Sequence, residues 1–358
     1  MELLSVTMND GVMPRSEIEG KDNSSEDKSN YKVVLTGDMV YNSMRMWQGA
    51  NGISPCDGIV SPAYTVLMPK IPISNGYFAA FFKSPNLINE FRKNSQGMTS
   101  DTWNLKYPQI ETIKVCIPAL SEQNRVADML GTLERRIAKQ VQLVDNLKKY
   151  KRGVMQRIFR QLPSQDGAEW ACVRLGDIFK KVSRRNADGV IKNVITNSAE
   201  YGLIPQRDFF DKDIAVDGNT ANYYVIENGD FVYNPRKSNS APYGPFNRYT
   251  LSEQGIISPL YTCLVLQADI SPSYLAWYFK SDAWYRYIYD NGSQGVRHDR
   301  VSMTDDLLMG IPVMYPSHEK QLLYADILDV VEARLQATQK TLDLLSKTRN
   351  GYMKQLFI

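Results

Sequence analysis

Two long stretches of the chain carry apolar residues at the alternating four- and three-residue spacing of a heptad seam. Each stretch is about 40 residues long, so each predicts a helix of ~60 Å, too long to bury its apolar stripe against a small domain. We therefore expect the two helices to pair. The first seam consists of Val126, Leu130, Leu133, Ile137, Val144, Leu147, Val154 and Ile158. The second consists of Tyr324, Leu328, Val331, Leu335, Leu342, Leu345, Tyr352 and Leu356.

The two stretches align without a gap from residues 118–159 to residues 316–357, at a constant offset of 198 positions. Each seam is interrupted at the same two positions, first by a neutral polar residue and then by a cation. These residues are Gln140 and Lys151 in the first stretch, and Thr338 and Arg349 in the second. The repetition predicts an antiparallel coiled coil with pseudo-twofold symmetry.

Short β-type runs precede each long helix, separated by Gly, Asn and Pro turns and followed by shorter helical stretches. The runs repeat as well, since GDMVYN at residues 37–42 returns as GDFVYN at residues 229–234. This pattern predicts an α+β fold made of two tandem α+β domains, each followed by a long helix. The predicted strands are residues 31–35, 64–67, 223–226 and 261–266, and the shorter helical stretches are residues 77–91 and 272–289.

The repeat divides the chain into five parts: a first domain at 1–117, a helix at 118–160, a linker at 161–168, a second domain at 169–315 and a distal helix at 316–358. The segment around Trp170, which opens the second domain, has no counterpart in the first. We therefore expect the first domain to lack its opening strand and to leave a sheet edge exposed. Such a domain is expected to be less stable than the second, or to self-associate by borrowing a strand from a neighbouring chain.

Composition narrows the function classes. With 43% apolar and 23% charged residues among 358, the chain resembles an ordinary globular protein of two domains. No run reaches the ~20 apolar residues of a membrane span. Four dispersed cysteines and two histidines predict no metal site and favour a reducing cytoplasm. The net charge of +3 is compatible with nucleic-acid binding but does not argue for it.

Polar loops follow the repeated strand and the short helical stretch in each domain, at equivalent places but with different sequences. Their Arg, Lys, Asn and Gln side chains are those that pair with base edges and phosphates, although solvated loops have the same composition. Candidate DNA-binding residues in the first domain are Arg45, Trp47, Gln48, Gln96 and Lys106. Those in the second are Asn234, Arg236, Lys237, Asn239, Gln294, Arg297 and Arg300.

No motif in the sequence indicates catalysis. Asn234-Pro235-Arg236-Lys237 lacks the second proline and the aromatic residue of an adenine-methyltransferase motif. A phosphate-binding loop, a nucleophile triad and a metal-ligand cluster are also missing.

The chain resembles the specificity subunits of type I restriction–modification systems. The resemblance rests on residues 37–42 with Trp47-Gln48-Gly49-Ala50, on residues 58–64, on Ile117–Gln123 before the first long helix and on the segment 170–178. In the second unit, Glu319-Lys320-Gln321 departs from the Glu122-Gln123 pair, which we interpret as one inserted residue.

The resemblance implies a non-enzymatic subunit whose two target-recognition domains each read one half of a bipartite site in double-stranded DNA, while the helices set the unread gap. It also implies two methylation subunits that carry S-adenosylmethionine, and restriction subunits that cleave. No cofactor is expected on this chain. The alternative from the residues alone is a two-headed protein-interaction scaffold or regulator that does not read DNA.

Overall fold

The computed structural model describes residues 1–8, 10–20, 24–99, 103–209, 220–292 and 299–357. The candidate residues Gln294 and Arg297 lie outside this described part. The chain forms two compact units, one of Met1–Val144 with Ala337–Ile358 and one of Asp145–Gln336. Each unit contains one α+β domain together with part of both long helices.

Unit 1 combines short strands with three short helices and one long one. Its strands are β1 (Glu2–Thr7), β2 (Gly11–Pro14), β3 (Lys32–Val34), β4 (Met39–Asn42), β5 (Asn51–Ile53), β6 (Gly58–Val60) and β7 (Tyr64–Leu67). Its helices are α1 (Asn75–Phe81), α2 (Pro85–Asn94), α3 (Tyr107–Ile110) and the start of α4 (Leu120–Gln156). The strands form two sheets, in the orders β2-β1-β6-β3 and β5-β4-β7.

Unit 2 repeats this plan and adds a segment at its start. Its strands are β8 (Ala171–Arg174), β9 (Phe179–Val182), β10 (Ile195–Ser198), β11 (Gly202–Pro205), β12 (Tyr224–Ile226), β13 (Phe231–Tyr233), β14 (Phe246–Arg248), β15 (Gly255–Ile257), β16 (Thr262–Leu266) and β17 (Pro312–Tyr315). Its helices are α5 (Leu162–Gln165), α6 (Leu175–Ile178), α7 (Gln206–Phe209), α8 (Pro272–Lys280), α9 (Tyr285–Asn291), α10 (Asp305–Met309) and the start of α11 (His318–Leu356). The central sheet has the order β14-β13-β16-β9, and β10-β11, β12-β15 and β17-β8 are paired separately.

The repeated Gly-Asp pair builds the turn that starts the central strand of each unit. Gly37 and Gly229 have φ values of 91° and 98°, which glycine adopts without strain. The next residue, Asp38 or Asp230, accepts a hydrogen bond from the backbone N–H three residues earlier, 2.9 Å away in both units. The repeat in the sequence is therefore a repeated turn, and it fixes where each polar loop begins.

The predicted helical stretch 77–91 consists of two helices rather than one. The Ser84 side chain accepts a hydrogen bond from Leu87 N–H, and Pro85 occupies the first position of α2. A serine cap followed by proline starts a new helix, because proline lacks the N–H that would continue the previous one. The stretch 272–289 is likewise divided into α8 and α9.

The long helices pair antiparallel, which confirms the predicted fold class. In unit 1, Gln140 Nε2 donates to Thr338 O at 2.9 Å, and Arg349 lies 2.6 Å from Glu134. Residues earlier in α4 therefore contact residues later in α11, so the two helices run in opposite directions. In unit 2, Lys151 of α4 lies 2.8 Å from Glu332 of α11.

Each α+β domain is anchored to both helices by apolar contacts. In unit 1, Tyr77 packs with Val126 and Leu130 of α4 and with Met353 and Phe357 near the end of the chain. In unit 2, Tyr274 and Tyr278 lie against Phe159, and the same core contains Ala325 and Leu328 of α11.

A buried glutamine links the start of each long helix to its domain. Gln123 accepts from Ser74 N–H at 3.0 Å and donates to Pro118 O at 2.9 Å. Gln321 accepts from Ser271 N–H at 2.8 Å and donates to Pro316 O at 2.9 Å. The interpretation that unit 2 carries an inserted residue here is therefore wrong. Gln321 is the direct counterpart of Gln123, and Lys320 replaces Glu122.

Candidate nucleic-acid interface

Two polar loops meet in each unit. The A loop follows the central strand and covers residues 43–50 in unit 1 and 235–245 in unit 2. The B loop covers residues 95–106 in unit 1 and 292–304 in unit 2, of which 100–102 and 293–298 are outside the described residues. The candidate residues predicted from the sequence fall within these loop ranges, except Asn234, which directly follows β13.

One backbone hydrogen bond joins the two loops in both units. In unit 1, Leu105 N–H donates to Ser43 O at 2.8 Å, and in unit 2, Val301 N–H donates to Pro235 O at 2.9 Å. Both donor residues are buried, so the joint is anchored in the core. The described parts of the two loops are therefore joined by the same contact in each unit and carry different side chains.

The start of each A loop is also built in the same way. Asn42 Oδ1 accepts from Met44 N–H, and Asn234 Oδ1 accepts from Arg236 N–H, both at 3.0 Å. This is an Asx turn, in which a side chain closes the backbone turn two residues on. Asn234 is 6% exposed and its Nδ2 donates to Asn197 O at 3.3 Å. Its side chain thus holds the loop, and its assignment as a DNA-binding residue stays a prediction.

Three cations of unit 2 lie at the joint between the loops. Arg236 and Arg300 face each other across an antiparallel bridge, and Lys237 N–H donates to Asp299 O at 2.9 Å. The Arg236 side chain is exposed, and that of Arg300 is 35% exposed and 4.0 Å from the Asp299 carboxylate. Like charges on directly opposed positions repel each other. An anion placed over this pair would relieve that repulsion.

The charges of both arginines act on the phenol of Tyr261. Burial raises the pKa of its phenol, while the charges of Arg236 and Arg300 act in the opposite direction. Asn239 lies in the exposed turn beyond, where Ser238 N–H and Ala241 N–H exchange hydrogen bonds with each other's carbonyls.

A cleft of about 330 Å³ lies beside these cations. Its walls include the polar residues Thr196, Ser198 and Glu200, which are not among the candidates predicted from the sequence. They belong to β10 and to the turn that joins it to β11. Alternating polar residues that end at a Gly turn mark them in the sequence, but they lie outside the two loops that follow the repeated strand and the short helical stretch.

The unit 1 surface contains aromatic rings and fewer clustered cations. Trp47 packs edge-on against Trp103 with 5.1 Å between ring centroids, which brings the A and B loops together. Its indole N–H donates to Met44 O at 3.2 Å, so Trp47 offers an apolar ring rather than a donor. The guanidinium of Arg92, another residue not selected from the sequence, lies 5.9 Å from the Trp47 ring.

The other unit 1 candidates lie around this aromatic pair. Arg45 is exposed at the start of the 3-10 turn Met46–Gln48, and Gln48 is half-buried within it. Gln96 exchanges two backbone hydrogen bonds with Asn104, at 3.0 and 2.9 Å, and leaves its side chain exposed. Lys106 is exposed at the N-terminus of α3.

No cluster of three or more His, Cys, Asp or Glu residues suited to a metal ion occurs in the described part of the chain. Among the same residues, no helix combines the length and apolarity needed to cross a membrane.

No family model matches the sequence. A curated protein and solved structures, however, are similar to this chain. The chain is 26% identical over 186 residues to the type I restriction enzyme StySPI specificity subunit of Salmonella potsdam, a match over 46% of this chain and 38% of that protein. It thus aligns with well under half the length of this curated relative.

Two solved structures share the fold. The type I restriction–modification S subunit from M. genitalium superposes with a TM-score of 0.57 at 15% identity, over 91% of this chain and 84% of that one. The fold is that of the type I specificity subunits. A chain from a structural study of complex assembly and conformational transition of the type I system gives a TM-score of 0.53 at 17% identity, over 98% of this chain and 89% of that one.

Proposed function

We propose that this chain is the DNA-reading specificity subunit of a type I restriction–modification complex. It recognises a bipartite site with the side chains that the A and B loops present in each unit. The observation that carries the proposal is the shared joint between the A and B loops, which presents different side chains in the two units. Two half-sites of different sequence need this combination of one scaffold with two different surfaces.

The side chains available on each surface suit DNA. A guanidinium can donate two hydrogen bonds to guanine in the major groove, and lysines bind phosphates without regard to sequence. In unit 2, we assign the first role to Arg236 and Arg300 and the second to Lys237. In unit 1, we assign base reading to Arg45, Gln48 and Gln96, phosphate binding to Lys106, and an apolar contact to the Trp47 ring.

We propose that the long helices set the gap between the half-sites. This proposal rests on the gapless alignment of the two helix sequences. It also rests on the ion pairs Glu134–Arg349 and Lys151–Glu332, which occupy equivalent positions. An insertion in either helix would remove one partner from each contact that follows it, whereas the loops of the domains tolerate changes in length.

Catalysis is assigned to partners in this proposal. Two methylation subunits would bring S-adenosylmethionine and modify adenine, restriction subunits would cleave, and this chain would bind no cofactor and act in the cytoplasm. The mild net charge of +3 supports a shared DNA interface, because partner subunits can supply much of the phosphate contact.

DNA binding by the chain, measured with and without a matching methylation subunit, tests this function. Binding of a bipartite duplex should be tight and sequence-dependent in the complex, and the Arg236→Ala variant should lose discrimination. Arg125→Ala is the matched control, since this arginine is 81% exposed on α4 and away from the loops. A complex that assembles but binds all duplexes equally would favour the protein-interaction scaffold instead.

A further inference from the structure

A third structural element lies beside the A loop of unit 2. It is the β10–β11 turn, residues 199–201, which has the exposed Glu200 at its apex. The backbone N–H groups of Glu200 and Tyr201 both donate to Ser198 Oγ at 3.2 Å. The turn ends at Gly202, whose φ of 75° is unstrained for glycine. The turn is therefore held by its own hydrogen bonds and presents Glu200 outward.

Buried asparagines connect this turn to the start of the A loop. Asn197 donates to Val232 O at 2.9 Å and accepts from Asn247 Nδ2 at 2.8 Å. Asn247 Nδ2 also donates to Ser198 O at 3.0 Å, and Asn234 Nδ2 donates to Asn197 O at 3.3 Å. All three asparagines are at most 6% exposed. A buried network whose members are hydrogen-bonded is rigid, so the β10–β11 turn is fixed relative to the A loop.

Unit 1 lacks two of these three asparagines. The strand pairings place Val6 and Gly52 of unit 1 where unit 2 has Asn197 and Asn247. Val6 belongs to an apolar cluster of unit 1, and Gly52 has no side chain. Unit 2 thus gives up apolar packing at this place and gains a fixed connection between its turn and its A loop.

Glu200 and two cations line the same cleft. The cleft of about 330 Å³ beside the A loop is lined by Glu200 together with Arg236 and Lys237. Within the described residues, no ion pair joins the Glu200 carboxylate to either cation. A carboxylate at a DNA surface repels phosphates, so it weakens binding unless a donor on the DNA satisfies it. The Glu200 carboxylate is able to accept hydrogen bonds from a bound molecule.

The edges of the bases determine which donor a carboxylate can use. In the major groove, cytosine presents its N4 amino group, guanine presents acceptors at N7 and O6, and thymine presents an acceptor at O4. Adenine also presents an amino group, at N6, but the N7 acceptor beside it repels a carboxylate. Cytosine is therefore the base that a carboxylate favours, just as guanine is the base that a guanidinium favours.

We propose that Glu200 is a specificity-determining residue that reads a cytosine in the half-site of unit 2, beside the guanine assigned to Arg236. This inference rests on the proposed function, because it adds one base contact to a surface already assigned to DNA. A G·C pair presents the guanine acceptors and the cytosine amino group side by side. Arg236 and Glu200, which line one cleft, complement the two sides of such a pair or two neighbouring G·C pairs.

The test compares base preferences of the full chain in complex with a matching methylation subunit. Glu200→Gln keeps the size of the side chain but presents an amide, which can form two hydrogen bonds with adenine N6 and N7. The preference at one base pair should move from cytosine to adenine, and the discrimination of about 10- to 100-fold for cytosine should be lost. Glu200→Ala should accept every base at that position. Both variants should unfold at the wild-type temperature, since Glu200 is exposed.

Glu253→Gln is the matched control. Glu253 is an exposed glutamate of the same unit and lies beyond the end of β14 that is away from the A loop. Its substitution removes the same charge and should leave the base preference unchanged. A second probe is a duplex with N4-methylcytosine at the selected position, where the methyl group takes the place of the N4 hydrogen in the major groove. The wild-type complex should bind this duplex about 10- to 100-fold more weakly than the unmodified one, and Glu200→Ala should bind both equally.

The outcomes separate this inference from the proposed function. If Arg236→Ala relaxes one half of the motif but both Glu200 variants keep all of it, Glu200 reads no base, and the inference is overturned while the function stands. Tighter binding of every duplex by the Glu200 variants, with unchanged base preference, leads to the same conclusion. A changed preference in the half that Arg236→Ala leaves intact would also overturn the inference. If the wild-type complex binds all duplexes equally, the proposed function fails, and the inference fails with it.

Discussion

Lys151 Nζ lies 2.8 Å from the Glu332 carboxylate, and the residues at the corresponding positions of the other unit, Arg349 and Glu134, lie 2.6 Å apart. The cation that interrupts each heptad seam is thus paired with a glutamate of the opposite helix. Of the two neutral interruptions, Gln140 donates its side-chain amide to the backbone carbonyl of Thr338. The polar positions of the seam therefore specify how the two helices align, in the same way that polar residues fix the register of other coiled coils.

Stability should depend on pH through this pair. Burial alone would raise the pKa of Glu332, but the hydrogen bond from Lys151 and its charge outweigh burial and hold the pKa below the usual 4.5. A carboxylate with a lowered pKa stabilises the folded state above its unfolded pKa, and this contribution is lost as pH falls through the folded value. Glu332→Gln should therefore cost about 1 kcal/mol at pH 7 and progressively less below pH ~4.5. Denaturant unfolding from pH 7 to pH 3 measures this difference.

The control for the pH experiment is Glu319→Gln, an exposed glutamate in the first turn of the same helix. Its unfolding free energy should stay close to that of the wild type across the range. A Glu332→Gln penalty that is the same at pH 3 and at pH 7 would contradict the role of the ion pair.

The gap between half-sites should follow the number of helical residues. Seven residues inserted after Lys139 and seven after its counterpart Ala337 keep both seams in phase and lengthen each helix by ~10 Å. At ~3.4 Å per base pair, the recognised gap should grow by about three base pairs. Insertion after Lys139 alone leaves the second helix short and should impair assembly. An active double-insertion complex with an unchanged gap would show that the helices do not set the spacing.

Asn234 should matter for stability more than for the chemistry of recognition. Asn234→Ala removes the Asx turn and the bond to Asn197 O, and leaves buried polar groups unpaired, so a loss of about 1–3 kcal/mol is expected. Asn239→Ala, in the exposed turn of the same loop, should change the unfolding free energy by less than about 0.5 kcal/mol. Equal effects of the two substitutions would mean that Asn234 does not hold the loop.

The sequence predicted the parts of the fold that repeat at fixed spacing. Apolar periodicity identified α4 and α11. The Gly-Asp repeat marked the strand before each A loop, because a turn that needs a positive φ and a side-chain hydrogen bond selects Gly and Asp at adjacent positions of the sequence. Tertiary contacts leave no such signal. The pairing of Leu105 with Ser43, the burial of Asn234 and the cleft beside Glu200 all depend on residues brought together by folding, so composition could not separate a loop-holding asparagine from a base-reading one.

Arg236 and Arg300 should discriminate within one half-site. Alanine at either position removes a possible bidentate contact to guanine, worth about 1–3 kcal/mol. Competition between duplexes that differ in one half only should show relaxed specificity for the half read by unit 2, with the other half unchanged. Relaxation in both halves, or in neither, would show that these arginines do not read bases in one half-site.

The most direct measurement of the central claim is genome-wide adenine methylation in the host, or in cells expressing this chain with its methylation subunit. The account predicts a bipartite motif with two half-sites of different sequence separated by a fixed gap. In the Arg236→Ala variant one half of this motif should degenerate, while the Arg125→Ala control retains it whole. A contiguous motif, or an intact bipartite motif that persists when this chain is deleted, would contradict DNA reading by these two surfaces.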